Sequence, residues 1–195
     1  MSDATFYLTG DPAADDLLAS DPNALLLGMV LDQQVSMEKA FSGPAVIAER
    51  MGGHLDVAAI AAADPEVFAE ICSRTPAVHR FPGAMAGRLQ AVCRQLVEQY
   101  DADASHLWAD ASTGAELKKR LLALPGFGQQ KASIFLALLG KQFGVTPPGW
   151  DTAAGAYGEA GAHRSVADIT DPESLKLVRE SKRAAKAAAK SAAEK

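Results

Sequence analysis

Two glycines set one residue apart, Gly126 and Gly128, stand in the run Leu124-Pro125-Gly126-Phe127-Gly128 that leads into Gln129-Gln130-Lys131-Ala132. Glycines in a tight turn let backbone N–H groups approach an anion closely. A helix that starts directly after the turn adds its own unpaired N–H groups and a positive dipole end. That combination suits the grip of one phosphate, and Lys131 in the first helical turn is a cation placed to assist. Spacing by itself leaves two readings open, a plain turn between helices or an anion site.

The elements that must carry this turn are helical. Thr113 to Ala123 opens on a capping-box pattern, Thr113 with Glu116, and carries Leu117, Leu121 and Leu122 on one face. Gln129 to Lys141 places Ala132, Phe135, Leu136 and Leu139 at helical spacing. Upstream, Asp-Pro pairs at 21–22, 64–65 and 171–172 read as N-cap and first helical position. Ser42-Gly43-Pro44 is expected to open a helix that Gly52-Gly53 closes. Asp56 to Ala63 reads as a short Ala-rich helix, and Pro82-Gly83 introduces the longest helix, ended by Asp101 to Ser105. Nothing alternates long enough for a sheet, so an all-α fold is expected.

Leu-Pro-Gly-aromatic-Gly before a Lys/Ala-type helix start resembles the helix-hairpin-helix of the HhH-GPD superfamily of base-excision DNA glycosylases. Leu26-Leu27-Gly28-Met29-Val30-Leu31-Asp32-Gln33-Gln34-Val35-Ser36 is similar to that family's early helix and Gln-containing loop, in the Gln-Gln-Val-Ser form of 3-methyladenine-type glycosylases. Pro82 to Tyr100 resembles the long helix before the hairpin. The likeness spans Asp21 to Thr152. It implies an all-α HhH-GPD domain over 21–170 with its helix-hairpin-helix at 113–141, flanked by an N-terminal segment, 1–20, and a basic Ala/Lys-rich helix or tail, 171–195.

The resemblance also assigns roles. It implies a partner in double-stranded DNA, with Gly126, Gly128, Lys131, Gln34, Arg80 and Phe81 as DNA-contacting residues. Gln34 matches the residue that fills the gap left by a flipped base, and Arg80 and Phe81 lie in the loop that supplies a second wedge. The family's essential aspartate follows a Gly/Pro-rich loop; here Gly144, Pro147, Pro148 and Gly149 precede Trp150-Asp151, 23 residues past Gly128. The resemblance makes Asp151 the catalytic carboxylate, which stabilises positive charge on the sugar as the N-glycosidic bond breaks. On its residues alone Asp151 also reads as an N-cap, and Gln34, Arg80 and Phe81 as ordinary loop positions. Asp168 lies too far along the chain for the family geometry. Strand-cleaving members carry a nucleophilic lysine two residues after the second hairpin glycine. Gln130 stands there, and Lys131, one residue on, is expected to point elsewhere. A monofunctional glycosylase is therefore expected, with a noncatalytic helix-hairpin-helix DNA-binding protein as the alternative.

No cofactor is expected. The family's hairpin admits a monovalent cation. Its iron–sulfur cluster needs four closely spaced cysteines after the catalytic helix, whereas no cysteine follows Cys93. Cys72 and Cys93 read as buried reduced thiols, and the four histidines lack metal-ligand spacing.

Charge runs against strong nonspecific DNA binding. The chain is −5 overall, and residues 1–175 carry 12 Lys/Arg against 22 Asp/Glu. A local basic face from Arg80, Arg88, Lys118, Lys119, Arg120 and Lys131 is expected to give modest, steeply salt-dependent affinity. The Ala/Lys-rich C-terminus reads equally as a solvated tail or a sequence-independent DNA arm. Met1-Ser2-Asp3-Ala4 does not read as a signal peptide and no apolar run reaches membrane-spanning length. A cytoplasmic monomer is expected.

Overall fold

The computed structural model describes residues 6–193, so the Met1-Ser2-Asp3-Ala4 start and the final Glu194 and Lys195 lie outside the described residues. The α-helices are α1 (Pro12–Ser20), α2 (Pro22–Leu31), α3 (Met37–Arg50), α4 (Val57–Ala62), α5 (Pro65–Ser73), α6 (Pro82–Gln99), α7 (Gly114–Leu122), α8 (Gln129–Phe143), α9 (Trp150–Ala154) and α10 (Pro172–Ala193). Short 3-10 turns occur at Ala104–Leu107, Gly155–Tyr157 and Val166–Asp168, and no strand occurs among the described residues. The fold is all-α.

Aspartates start these helices as their Asp-Pro pairs predict. Asp21 accepts the Asn23 N–H at 2.8 Å, Asp64 those of Glu66 and Val67 at 2.9 and 3.1 Å, and Asp171 that of Ser174 at 2.7 Å. A fourth pair, Asp11-Pro12, caps α1 in the same way. Proline at the first helical position forfeits an N–H that no intrahelical acceptor could use. Thr113 accepts the Glu116 N–H, while the Glu116 carboxylate turns to the Ser112 N–H at 3.0 Å.

Two helices differ from their sequence pattern. Ser42-Gly43-Pro44 lies inside α3, which starts at Met37 with Ser36 as its cap. Pro44 removes one intrahelical hydrogen bond, but Met37, Ala40, Phe41 and Ile47 bury one face on both sides of it, and packing outweighs the local break. The longest helix is α10, with 22 residues against 18 in α6. Its first half has buried anchors in Ser174 and Val178.

α2 forms the centre. Every residue from Ala24 to Leu31 is buried, so the helix is enclosed on all sides, packed against α1, α3 and α6. α4 and α5 cover the other side of α6, and α8 packs on α7 and α9. Cys72 and Cys93 are free and buried, and burial pushes their thiols up to about 11 and about 12.

A buried ion pair ties the end of α8 to the last 3-10 turn. Lys141 Nζ donates to Asp168 at 2.6 Å, and Asp168 also accepts the N–H groups of Arg164 and Ser165 at 2.8 and 3.1 Å. Asp168 is thus an anchor of the fold. Lys141→Met would leave this carboxylate buried without its cation, with an expected loss of about 3–5 kcal/mol. The urea midpoint measures it; a loss below about 1 kcal/mol would mean the backbone donors satisfy Asp168 alone.

Candidate active site and DNA interface

Between α7 and α8 the hairpin turn is pinned from inside by Phe127, whose ring meets Phe135 edge-on at 6.1 Å. Gly126 has φ +82°, which a side chain would strain, and a Cβ there would lie 2.5 Å from Arg88 Cδ. Gly128 differs: a Cβ would meet nothing within 4 Å, and it is the N-cap of α8 with no side chain closing the first turn. The amides at Gly128 and the α8 start are therefore open to an anion, while the Arg88 side chain covers Gly126.

Arg88 also reaches the loop after α2. Its Nη1 donates to Gln33 Oε1 at 2.7 Å. The Gln33 carbonyl is 2.7 Å from His79 Nε2, and the Phe81 N–H is 3.0 Å from His79 Nδ1. Since Nδ1 accepts from Phe81, Nε2 carries the proton that goes to Gln33. Next to this anchor, exposed Gln34 is held at φ +58°, a sparsely populated conformation for a residue with a side chain. Arg80 and Phe81 are exposed at the other side of His79, with the Arg80 guanidinium 5.3 Å over the Phe81 ring. One buried histidine thus joins both loops expected to wedge into DNA.

A cavity of about 680 Å³ opens between this loop and the hairpin, lined by Asp32, Gln33, Gly128, Gln130, Lys131 and Tyr157 among others. Gln130 Nε2 donates to the Tyr157 hydroxyl at 2.9 Å. Lys131 lines the same cavity as Gln130, against the expectation that it points elsewhere. The roughly 100° between adjacent helical positions is spanned by the long lysine stem. Its Nζ donates to the Val30 carbonyl at 2.9 Å and lies 5.8 Å from the Phe127 ring centre. Burial pushes the ammonium down to about 8, opposed by Asp32.

Asp32 was not singled out by sequence reasoning. Burial raises its carboxyl, and Lys182 and Lys131 partly offset that. A signal existed: an acid at a helix C-terminus opposes the dipole, so one closing the apolar Ala24–Leu31 run of α2 implies a nearby cation. The wall opposite is α10, through Ser181, Lys182 and Ala185, fastened by Arg179 Nε to Glu38 at 2.7 Å. This length of the basic segment is seated against the cavity. Other expected DNA-facing cations have internal partners. Lys118 donates to the Ala153 carbonyl at 2.8 Å, and Arg120 is engaged by Asp110, Glu116 and the Leu107 carbonyl.

Asp151 lies in the first turn of α9, exposed, its Oδ1 accepting the Thr152 N–H at 2.8 Å. It lines a second cavity of about 570 Å³ with Trp150, Thr152, Gly155, Gly158 and Glu159, and the hairpin glycines do not line that cavity. The Gly155–Tyr157 turn contributes to both, Tyr157 on the hairpin side and Gly155 on the Asp151 side. Trp150 fixes α9: its ring lies on Gly140, where a Cβ would come within 2.2 Å of the indole.

A family model described as HhH-GPD superfamily base excision DNA repair protein matches residues 27–194. The chain belongs to the HhH-GPD superfamily. No curated protein and no solved structure matches it. The bounds of the HhH-GPD match reach from α2 to α10, so the walls of both cavities fall between them. No described helix is long and apolar enough to cross a membrane.

Gly128→Val has room in the folded protein, at φ −93°, and it would crowd the open amides. Duplex binding is expected to weaken by about tenfold or more, the scale of one charge-assisted hydrogen bond, with the melting temperature little changed. Unaltered binding in a folded variant would show that the turn holds no phosphate.

Proposed function

We propose that this HhH-GPD protein is a monofunctional DNA glycosylase that hydrolyses the N-glycosidic bond of a damaged or mismatched base in duplex DNA. The observation that carries the reading is the cavity shared by the hairpin and the α2 loop. It opens beside the unpaired amides of the α8 start and the strained, exposed Gln34. A target nucleotide turned out of the stack has its phosphate at Gly128 and its base toward the cavity. Gln34 fills the vacated space and offers an amide to the orphaned base. Phe81 enters from the other side, and Arg80 meets a phosphate.

Asp151 is the carboxylate proposed to stabilise positive charge on the sugar, and water then takes the place of the base. Its support is position: it lies in the first turn of the helix after the Pro/Gly loop, and the Trp150–Gly140 contact holds that helix against α8. Gln130, hydrogen-bonded to Tyr157, has no amine to form a Schiff base at the lyase position. The noncatalytic DNA-binding reading draws on one observation: the Asp151 carboxylate engages its own helix and lines the neighbouring cavity.

Asp151→Asn keeps the shape and removes the charge. Base release is expected to fall by about a hundredfold or more with duplex binding retained. Wild-type product is expected to be an intact abasic strand that breaks only in alkali, without a borohydride-trapped adduct. Full release by Asp151→Asn would move the chemistry to another carboxylate. DNA binding without release of any base would establish the noncatalytic reading.

A further inference from the structure

We propose that Lys131 is the proton donor to the departing base, tuned by Asp32, and that the site therefore favours bases that are neutral in the nucleoside over N-alkylated, cationic purines. The inference rests on the glycosylase reading above and assigns its substrate class.

Lys131 rises from the first turn of α8 into the hairpin cavity. An ammonium has three donors, and the Val30 carbonyl takes one of them, leaving two. The charged groups around it come from several directions. Asp32 faces it from the end of α2 and Arg88 from α6, and Lys182 stands near Asp32 on α10. Arg164 and the Tyr157 hydroxyl complete the wall. Three cations, Lys131, Arg164 and Lys182, line the cavity with Asp32 as the carboxylate among them, beside the positive end of the α8 dipole. From outside the lining Glu159 takes Arg164 at 3.5 Å, and Glu38, near Asp32, is held by Arg179.

A positive cavity discriminates between leaving groups. When a neutral base departs, the C1′–N bond breaks with both electrons going to the base, which becomes an anion unless it is protonated. An N7-alkylated purine already bears a positive charge and departs neutral. The first needs a cation and a proton; the second needs neither and is repelled on entry. In the proposed step the Lys131 Nζ proton passes to the base, and water oxygen bonds to C1′. The proton released by that water restores Lys131 through solvent, so the products are free base and a hydroxylated abasic sugar. Burial holds the lysine near about 8, where it is mostly protonated at neutral pH yet releases its proton readily. Asp32 raises that value and so keeps the acid charged.

The test uses the full chain and duplexes carrying uracil, hypoxanthine or 7-methylguanine. Wild type is expected to release uracil or hypoxanthine faster than 7-methylguanine, at a rate that falls as pH rises through about 8. Lys131→Met is expected to lose about a hundredfold on the neutral bases, and at least about tenfold less on 7-methylguanine. Lys131→Arg keeps the charge but holds its proton too tightly to give it, so it is expected to lose the pH dependence near 8. Asp32→Asn is expected to move the fall in rate to lower pH. The last two variants retain a polar group and keep the question answerable if Lys131→Met does not fold, which a thermal melt shows. Preference for 7-methylguanine, or equal losses on both base classes in Lys131→Met, would overturn the inference and leave the glycosylase reading standing. No release of any base by wild type would overturn the glycosylase reading and this inference with it.

Discussion

Arg88 joins the two halves of the site. Its stem occupies the space over Gly126 that a side chain would fill, and its guanidinium holds Gln33. The hairpin turn and the loop after α2 are therefore fixed to each other by a side chain from a third element, α6. Gln33 passes the constraint to His79 through its carbonyl, and His79 passes it to the Phe81 N–H. The open amides at Gly128 and the exposed side chains of Gln34 and Phe81 thus share a common frame. Rigid positioning of this kind is what lets a protein open DNA at one base step without first ordering its own loops.

The acidic character of the chain also has a structural account. Asp11, Asp21, Asp56, Asp64, Asp103 and Asp171 each accept backbone N–H groups at a helix start. Each such charge faces a positive dipole end, which reduces the field it projects. Asp15 is buried and holds the N–H groups of Leu8 and Thr9. The negative total is in good part the charge of a capping system. Several cations are likewise committed internally, so the balance of Lys and Arg in the sequence overstates the positive surface near the hairpin.

Helix starts and the hairpin were legible because their signals are local: an Asp-Pro pair, a glycine pair and an apolar stripe act within a turn or two. The Ser42-Gly43-Pro44 expectation failed because burial of Phe41 and Ile47 outweighs a local break. Lys131 and Asp32 were misjudged or passed over for a related reason. Helical spacing fixes a Cα direction, but a long side chain is placed by whatever accepts its hydrogen bonds, here the carbonyl of Val30, 101 residues away. The seat of α10 depends on Arg179 meeting Glu38, a pairing across 141 residues that composition alone does not reveal. Asp151 was legible by position only. The cavity its carboxylate lines follows from how the Gly155–Tyr157 turn folds back.

The contact of Trp150 with Gly140 has a practical side. The chain has two tryptophans. Trp108 packs edge-on against Phe135, 6.1 Å between centres, while Trp150 adjoins Asp151 at the edge of its cavity. Replacing Trp108 by Phe would leave a single indole emitter one residue from the proposed carboxylate. Its emission maximum would then report, in solution and without any label, whether α9 stays seated on α8 when DNA is added.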